Sequence, residues 1–427
     1  MRPGPAKWML IVSGLSQDYS RKSFKIRMRV VRAEWSCSCC LLVDRGRCGG
    51  LFPREEFIMI RRMYIDNFKC LVNFELPLQE LTLILGQNGS GKTSVLDVIF
   101  KLRQLLSGNA KVTDRDIFPL STLTRWQAVD LQVFELDVVL ARHEYRYRLE
   151  VEHERSTRRA RVSLERLELS GHPLFLFQQG EVQLFRDDHS VGPAFSADWT
   201  ESALARVPSR HDNTHLTRFL DFIRKVVVCG LYPASFRAEC SSEDAVLDRN
   251  ASNFAAWYRH LLLERQELVP EFTEALRNVI TGFRGIRMEK MGLDTRALMV
   301  MFDEFKTQFQ LRLDEISDGQ RALIALYSLV CLAAGQGHTL FLDEPDNYLA
   351  LAEIQPWIIQ VADACGTTLP QAVFCSHHPE LIDYLGGDCG VFLERESSGV
   401  TRARSLVEIA SNDGLRLSEV IARGWQQ

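Results

Sequence analysis

The stretch Gly86-Gln87-Asn88-Gly89-Ser90-Gly91-Lys92-Thr93 fits the phosphate-binding pattern G-x-x-x-x-G-K-[ST] at every position. An apolar run over residues 81–85 precedes it and is typical of a buried parallel strand. After it, apolar residues recur at helical spacing up to residue 106. In this context backbone N–H groups converge on phosphate oxygens. The stretch therefore predicts a nucleoside triphosphate site, with Lys92 facing the β- and γ-phosphates and Thr93 as a ligand of Mg²⁺.

Two carboxylates follow a second apolar run. Residues 339–342 have the composition of a buried strand, and Asp343 and Glu344 come directly after it. A carboxylate at this position of a phosphate-loop protein holds Mg²⁺ through water, and its neighbour orients and polarises the attacking water. The sequence predicts the first role for Asp343 and the second for Glu344.

Two further motifs lie on either side of this acidic pair. Upstream, Ser317-Asp318-Gly319-Gln320 begins an apolar helix predicted over residues 322–334, which stops at Gly335. Downstream, a predicted strand over residues 372–375 leads into Ser376-His377-His378-Pro379. Both motifs pair a regular element with polar side chains at its end.

In this order the motifs resemble the ATPase head of ABC-type proteins, with Walker A, an LSGGQ-like signature, Walker B with a catalytic glutamate, a D-loop and a switch histidine. The signature departs from LSGGQ, with Ile316 in place of leucine and Asp318 in place of the first glycine. This variant, and residues 64–69, resemble the RecF/SMC-like and OLD-like branch of AAA-family ATP-binding proteins. The resemblance implies that Glu344 and His377 are catalytic. His377 fits the family pattern of a small polar residue, His, any residue and Pro better than His378 does.

The resemblance also implies that two copies act together. In such heads the signature of one protomer completes the nucleotide site of the other. Ser317, Gly319 and Gln320 would then join residues 86–93 in binding ATP, with Ser317 and Gly319 facing the γ-phosphate held by Lys92 of a second copy. ATP would hold a homodimer together, and hydrolysis would release it.

Two classes of output remain open. One is a DNA-maintenance or anti-phage defence ATPase that controls an effector protein, with DNA as a further partner. The other is a slow ATPase that serves as an ATP-dependent scaffold or switch without acting on nucleic acid. DNA-stimulated turnover would favour the first class, and nucleotide-dependent complex formation without stimulation would favour the second.

The predicted fold is α/β, a P-loop NTPase core of ABC type with a mostly parallel sheet flanked by helices and an inserted mixed α+β lobe. The core comprises residues 59–106 and 311–427, and the lobe residues 107–310. The interval from Lys92 to Ser317 is far longer than a transporter ATPase needs, but it lacks the sustained apolar heptads of a coiled coil. Alternation over 133–140, 145–151 and 162–169, the last with a frame slip, predicts antiparallel strands. Helices are predicted at 250–263, 270–281 and 417–423, and a helix or helix–strand pair at 215–227.

Composition suits a protein with a large core. The chain has 427 residues, of which 46% are hydrophobic and 25% charged. It contains no run of eighteen apolar residues, so the sequence predicts no membrane span. The 11 cysteines are scattered, several within predicted core elements, which is typical of a reduced cytoplasmic setting.

The overall charge of the chain predicts no general attraction to DNA. The formal net charge is −4 and the isoelectric point about 6.2. Arginines do cluster along the predicted hairpin, at Arg142, Arg146, Arg148, Arg155, Arg158, Arg159 and Arg161. Glutamates alternate with them, which favours cross-strand ion pairs on a solvated face over a DNA contact, although a DNA contact on this lobe stays open.

Three remaining features are interpreted from local pattern. Residues 1–58 lack clear periodicity and are expected to be a poorly structured extension, with the native start at Met59 or Met63. Their cysteines (Cys37, Cys39, Cys40 and Cys48) lack the paired C-x₂-C units of a zinc site. The chain after Glu380 is too short for a separate nuclease domain. The glutamine of a Q-loop is not identified, with Gln127 and Gln132 as candidates.

Overall fold

The computed structural model describes residues 58–304, 307–333, 335–406 and 416–422. The predicted extension, with its cysteine cluster, lies outside the described residues except for Ile58, so its interpretation stays a prediction. The strands are β1 (Ile58–Asp66), β2 (Phe74–Pro77), β3 (Leu81–Gly86), β4 (Leu131–Leu140), β5 (His143–Glu154), β6 (Arg159–Leu169), β7 (His172–Gln178), β8 (Glu181–Phe185), β9 (Val191–Ser196), β10 (Val226–Cys229), β11 (Glu239–Cys240), β12 (Phe283–Lys290), β13 (Arg296–Glu304), β14 (Thr307–Arg312), β15 (Thr339–Asp343), β16 (Gln371–Cys375), β17 (Gly390–Arg395) and β18 (Thr401–Ser405). The helices are α1 (Lys92–Leu106), α2 (Thr214–Arg224), α3 (Phe254–Glu264), α4 (Val269–Arg277), α5 (Asp318–Tyr327), α6 (Leu351–Ala364), α7 (Pro379–Cys389) and α8 (Leu417–Ala422), and a π-helical turn (Ser328–Leu332) follows α5.

A six-stranded sheet in the order β10-β15-β16-β3-β17-β18 carries the predicted motifs. Its neighbouring strands are parallel except for the β17–β18 pair. The central strands are apolar along their length because both faces of the sheet are covered. Ile84 of β3 packs into one hydrophobic core, while its neighbours Leu83 and Leu85 pack into a second core on the other face.

The order of the central strands positions the motifs. β15, β16 and β3 are adjacent and parallel, so their carboxyl ends meet at one edge of the sheet. The glycine-rich loop follows β3, Glu344 follows β15, and Ser376 and His377 follow β16. Ligands of open α/β sheets bind at this kind of edge.

A second, eight-stranded sheet is antiparallel, in the order β2-β1-β4-β5-β6-β7-β8-β9. The prediction of a mostly parallel sheet is therefore not confirmed for the chain, although the α/β fold class is. The predicted core strand β1 belongs to this antiparallel sheet. It buries Ile60, Met63 and Ile65 but leaves Arg61 exposed, and such a half-buried pattern suits an antiparallel sheet with one solvated face.

The sheets cross the predicted domain limits. β1, from the predicted core, pairs with β4 from the predicted lobe. β10, from the predicted lobe, pairs in parallel with β15 at the edge of the six-stranded sheet. β11, β12 and β14 all pair with β13 in a third sheet. Much of the interval between the motifs is thus built into the same body as the motif-bearing sheet.

The frame slip predicted in β6 corresponds to a register shift opposite Glu150 and Val151 in β5. Leu164, predicted to face inward, is half-buried, and Glu165 is fully buried instead. The Glu165 carboxylate accepts hydrogen bonds from the hydroxyls of Tyr147 (2.9 Å) and Ser202 (2.6 Å). Burial raises its pKa in spite of these bonds.

The predicted helices at 250–263, 270–281 and 417–423 correspond to α3, α4 and α8, and 215–227 divides into α2 and β10.

Candidate functional site

The glycine-rich loop has a backbone that other residues would strain. Gly86, Gly89 and Gly91 have φ angles of 150°, 79° and 102°, all in the positive region. A Cβ at Gly86 would lie 2.4 Å from the carbonyl oxygen of Leu393, and one at Gly91 would lie 2.9 Å from Cys70 Sγ. At Gly86 and Gly91 the loop therefore has room for backbone alone, and this allows its N–H groups to approach a ligand closely.

The tip of the loop, with Gln87 and Asn88, is exposed, whereas Ser90 at its base is 1% exposed. The Ser90 hydroxyl has no hydrogen-bond partner among the described residues. Its carbonyl oxygen accepts a 2.9 Å hydrogen bond from the Thr401 hydroxyl, and the Thr401 N–H donates to Cys70 (3.1 Å). A buried hydroxyl without a partner, within a cradle of backbone, fits a ligand with oxygen acceptors such as a phosphate group.

Lys92 begins α1 directly after the loop and is only 6% exposed. Its ammonium group donates to the carbonyl oxygens of Gly86 (2.7 Å) and Gln87 (3.2 Å). Burial lowers the pKa of Lys92, and the nearby carboxylates of Glu344 and Asp343 oppose this shift. The cation is therefore held inside the loop and close to the acidic pair.

Thr93 and Asp343 lie close together at the sheet edge. Burial raises the pKa of Asp343 and the charge of Glu344 adds to this, while the nearby Thr93 hydroxyl lowers it. Hydroxyl and carboxylate oxygens are ligands that Mg²⁺ prefers. These two side chains fit the Mg²⁺ ion that the motif predicts.

Glu344 has a left-handed backbone conformation, with φ 46°. Its N–H donates to the carbonyl oxygen of Cys375 (2.8 Å), and Asn347 Nδ2 donates to its carboxylate (2.6 Å). Its other carboxylate oxygen lies 3.5 Å from His377 Nε2. Such backbone strain is typical of functional sites, where surrounding contacts hold the residue in place.

The two adjacent histidines have different environments. His377 lies beside Glu344, and burial lowers its pKa, with the charge of Lys92 adding to the effect. His378 instead caps α7, where its Nδ1 accepts a hydrogen bond from the Glu380 N–H (3.3 Å). Of the two rings, His377 is therefore the one positioned to contact a group at the sheet edge.

The signature residues form the exposed start of α5. The Ser317 hydroxyl accepts from the Gln320 N–H, and the Gln320 side chain accepts from the Ser317 N–H, both at 3.2 Å. These reciprocal bonds form a capping box. A Cβ at Gly319 would lie 2.9 Å from the carbonyl oxygen of Tyr348, so the glycine allows α5 to approach the segment after Walker B. The structure thus brings Lys92, Asp343, Glu344 and His377 together, whereas the signature side chains bond to one another.

Sequence reasoning missed a charged cluster beside the loop. Asp97 lies one turn after Thr93 on α1, and its carboxylate pairs with Lys69 (2.6 Å) and with Arg249. The positive charge of Arg249 also opposes the raised pKa of Asp343. The spacing of Asp97 from Thr93 places both side chains on one face of α1 and could have predicted that Asp97 lies near the site. No local sequence pattern predicts that Arg249 lies there.

The two Q-loop candidates differ in burial. Gln132 is fully buried, and its amide group donates to the backbone of Asn67 (2.9 Å) and Thr122 (3.2 Å). Its carbonyl group lies 2.9 Å from His153 Nε2. Gln127 is half-buried. The contacts of Gln132, which lies in β4, are to the segment after β1, to the turn at Thr122 and to β5, and they do not include the glycine-rich loop.

Most arginines of the hairpin are ion-paired, as predicted. Arg146 pairs with Asp137, Arg148 with Glu135 and Glu150, Arg155 with Asp130, and Arg161 with Glu152. Within the described ranges, Arg142, Arg158 and Arg159 make no ion pair. Much of this face is therefore a solvated set of cross-strand pairs.

No helix in the part of the chain that the structure describes is long and apolar enough to cross a membrane.

Comparison with known proteins gives one family that covers most of the chain. The family described as "AAA domain, putative AbiEii toxin, Type IV TA system" matches residues 81–383. Over 41 residues, 10% of this chain and 8% of the relative, the chain is 49% identical to an OLD nuclease of Thermus scotoductus. Over 59 residues, 14% of this chain and 16% of the relative, it is 42% identical to the DNA replication and repair protein RecF of Shewanella loihica. The matches thus span only a small part of either relative.

The solved structures that match this chain include SMC heads. One is an SMC head bound to the C-winged helix domain of ScpA, with a TM-score of 0.48 and 13% identity, covering 82% of this chain and 99% of that chain. Another is the SMC head with a coiled coil and joint from Pyrococcus yayanosii, with a TM-score of 0.48 and 12% identity, covering 87% and 100%.

Proposed function

We propose that this chain binds ATP with Mg²⁺ and hydrolyses it. The chain belongs to the AAA-domain family and is an ABC-type ATPase head of the RecF/SMC/OLD-like kind. One observation carries the proposal. The buried Lys92 ammonium, the neighbouring Thr93 and Asp343 side chains and the Glu344–His377 pair all lie at the carboxyl edge of three adjacent parallel strands. Cation, metal ligands and general base are the parts that phosphoryl transfer to water requires.

Each side chain has one role in this proposal. The loop N–H groups and Lys92 bind the β- and γ-phosphates, and Thr93 and Asp343 hold Mg²⁺, which neutralises charge on the phosphates. Glu344 accepts a hydrogen bond from the attacking water and orients it. His377, neutral because its pKa is lowered, lies close enough to Glu344 to fix the carboxylate or to donate to the γ-phosphate.

We further propose that two copies share each nucleotide. Ser317 is exposed at a helix start, where N–H groups favour an anion. Within one chain, Gly319 approaches Tyr348, and Asp346 of the same segment accepts a 2.7 Å hydrogen bond from Ser376, next to His377. These contacts connect the exposed signature to the segment after Walker B, and we propose a homodimer in which the signature of each copy contacts the ATP bound by the other.

The output is proposed to be ATP-dependent control of DNA maintenance or anti-phage defence, through an effector protein. The two relatives, a nuclease and a DNA replication and repair protein, support the DNA-related class. Measuring turnover with and without DNA separates this class from an ATP-dependent scaffold. A scaffold would assemble a complex on ATP without any change in turnover on adding DNA.

The test of the ATPase proposal is Glu344→Gln, which keeps the shape of the side chain and removes the carboxylate. Binding of a fluorescent ATP analogue should survive, while turnover should fall by about 10²- to 10⁴-fold. Glu264→Gln is the matched control, because Glu264 is exposed at the end of α3, and it should hydrolyse ATP like the wild type. Normal turnover in Glu344→Gln would refute the role of Glu344, and Asp346 would be the next candidate.

A further inference from the structure

A cavity of about 580 Å³ lies at the tip of the β5–β6 hairpin, in the antiparallel sheet. We call it the hairpin cavity, and its lining includes His153, Arg159 and Trp199 together with three carboxylates, those of Asp130, Glu152 and Glu154. Its volume falls within the range of small-molecule sites. None of the motif residues lines it, so the nucleotide site does not account for it.

The floor of the hairpin cavity contains a buried acceptor without a partner. His153 is 4% exposed, and its Nδ1 has no hydrogen-bond partner among the described residues. The Gln132 amide group donates to two backbone carbonyls, so its oxygen faces His153 Nε2 and must accept the proton on that nitrogen. Burial lowers the pKa of His153 to about 4, so the ring is neutral. Nδ1 is therefore a buried acceptor without a partner, which an N–H or O–H donor in the cavity would satisfy.

The wall of the cavity offers an aromatic face and a cation. Trp199 is 51% exposed, with the Arg161 guanidinium 5.8 Å from the centre of its ring. Arg161 is already paired with Glu152 (2.8 Å), whereas Arg159 is exposed and lies opposite Glu154 in the β5–β6 register without forming an ion pair within the described ranges. An exposed tryptophan is a stacking platform for planar rings, and an arginine outside a close ion pair is a partner for an anion.

We propose that the hairpin cavity binds a nucleotide through its base, either as a free nucleotide or within a single strand. The base stacks on Trp199 and donates an N–H to His153 Nδ1, and the phosphate pairs with Arg159. A bare phosphate or a double-stranded backbone would use Arg159 but would leave His153 Nδ1 and the face of Trp199 without a partner. The combination of a planar ring, a donor and an anion is what a nucleotide supplies.

The test uses the full chain with Lys92→Ala, so that the glycine-rich loop does not contribute to binding. A fluorescein-labelled oligothymidylate is titrated by anisotropy, and an abasic oligonucleotide of the same length serves as a second probe with the same charge. The oligothymidylate should bind and the abasic probe should bind far more weakly. Competition by thymidine monophosphate identifies a site for free nucleotides, and its failure to compete identifies a site for a strand.

Trp199→Ala should weaken binding of the oligothymidylate by about fivefold to 150-fold, the effect of losing one stacked base. Arg159→Gln, at an exposed position, should weaken it as well. Trp126→Ala is the matched control, because Trp126 is also exposed and has Arg395 at 5.8 Å over its ring, but lies outside the cavity. Equal binding of the abasic probe, no binding of either probe or of thymidine monophosphate, or unchanged affinity in folded Trp199→Ala would overturn the proposal.

Discussion

Replacing Thr401 by valine tests how the glycine-rich loop is held. Thr401 begins β18 and is fully buried, and its hydroxyl donates to the Ser90 carbonyl oxygen at 2.9 Å. Valine has nearly the same shape and suits a strand, so packing is retained. The change leaves a buried carbonyl without its partner, which costs about 1–3 kcal/mol of unfolding free energy.

Thr339→Val is the matched control in the same sheet. Thr339 begins β15 and is also fully buried, but its hydroxyl has no hydrogen-bond partner among the described residues. Removing a buried hydroxyl that bonds to nothing should leave stability unchanged or raise it. The two variants therefore differ in whether the lost hydroxyl had a hydrogen-bond partner.

Urea unfolding of wild type and both variants measures the difference, and titration with a fluorescent ATP analogue follows the loop. We expect Thr401→Val to be less stable and to bind the analogue more weakly, because Ser90 belongs to the loop. If Thr401→Val is as stable as wild type, or if Thr339→Val loses as much stability, the Thr401–Ser90 bond does not hold the loop.

Further expectations concern three charged groups. Lys92→Ala should abolish binding of a fluorescent ATP analogue or nearly so, since it removes the cation facing the phosphates; unchanged affinity in the titration would contradict the loop assignment. Asp343→Asn should leave binding measured in EDTA intact and remove most Mg²⁺-dependent turnover, and a variant that still responds to Mg²⁺ titration would assign the metal elsewhere. Burial lowers the pKa of Lys101 to about 8, so between about pH 8 and 10.5 the unfolded chain binds more protons at this residue than the folded one. Relative to Lys101→Met, wild-type stability in urea should therefore rise over that range by roughly 3 kcal/mol, and a constant difference would refute the shift.

The local part of the site was predictable because its signals are short-range. The glycine pattern fixes the loop between β3 and α1, and the apolar run before Asp343 fixes the end of β15. Parallel strands bring such ends to one edge whatever the order of the strands. The distinction between His377 and His378 also followed from a local pattern, since the proline after His378 begins α7.

The long-range part was not predictable from pattern. β10 has four residues, all apolar and buried, and nothing in Val226–Cys229 identifies β15 as its partner. Thr401 and Arg249 are ordinary polar residues in sequence, and they reach the site only because distant segments are folded beside it. Burial of Glu165 depends on a register shift that periodicity suggests but does not place.

The most direct test of the central claim mixes two inactive variants. Ser317→Arg places a bulky cation at the signature and should leave ATP binding nearly intact while abolishing turnover. Lys92→Ala should lose ATP binding. In a mixed dimer, the intact Lys92 of one chain and the intact Ser317 of the other form one complete site, so turnover should reappear on mixing. Turnover at the wild-type rate in Ser317→Arg alone, or no recovery in a mixture shown to contain mixed dimers, would contradict a site shared between two copies.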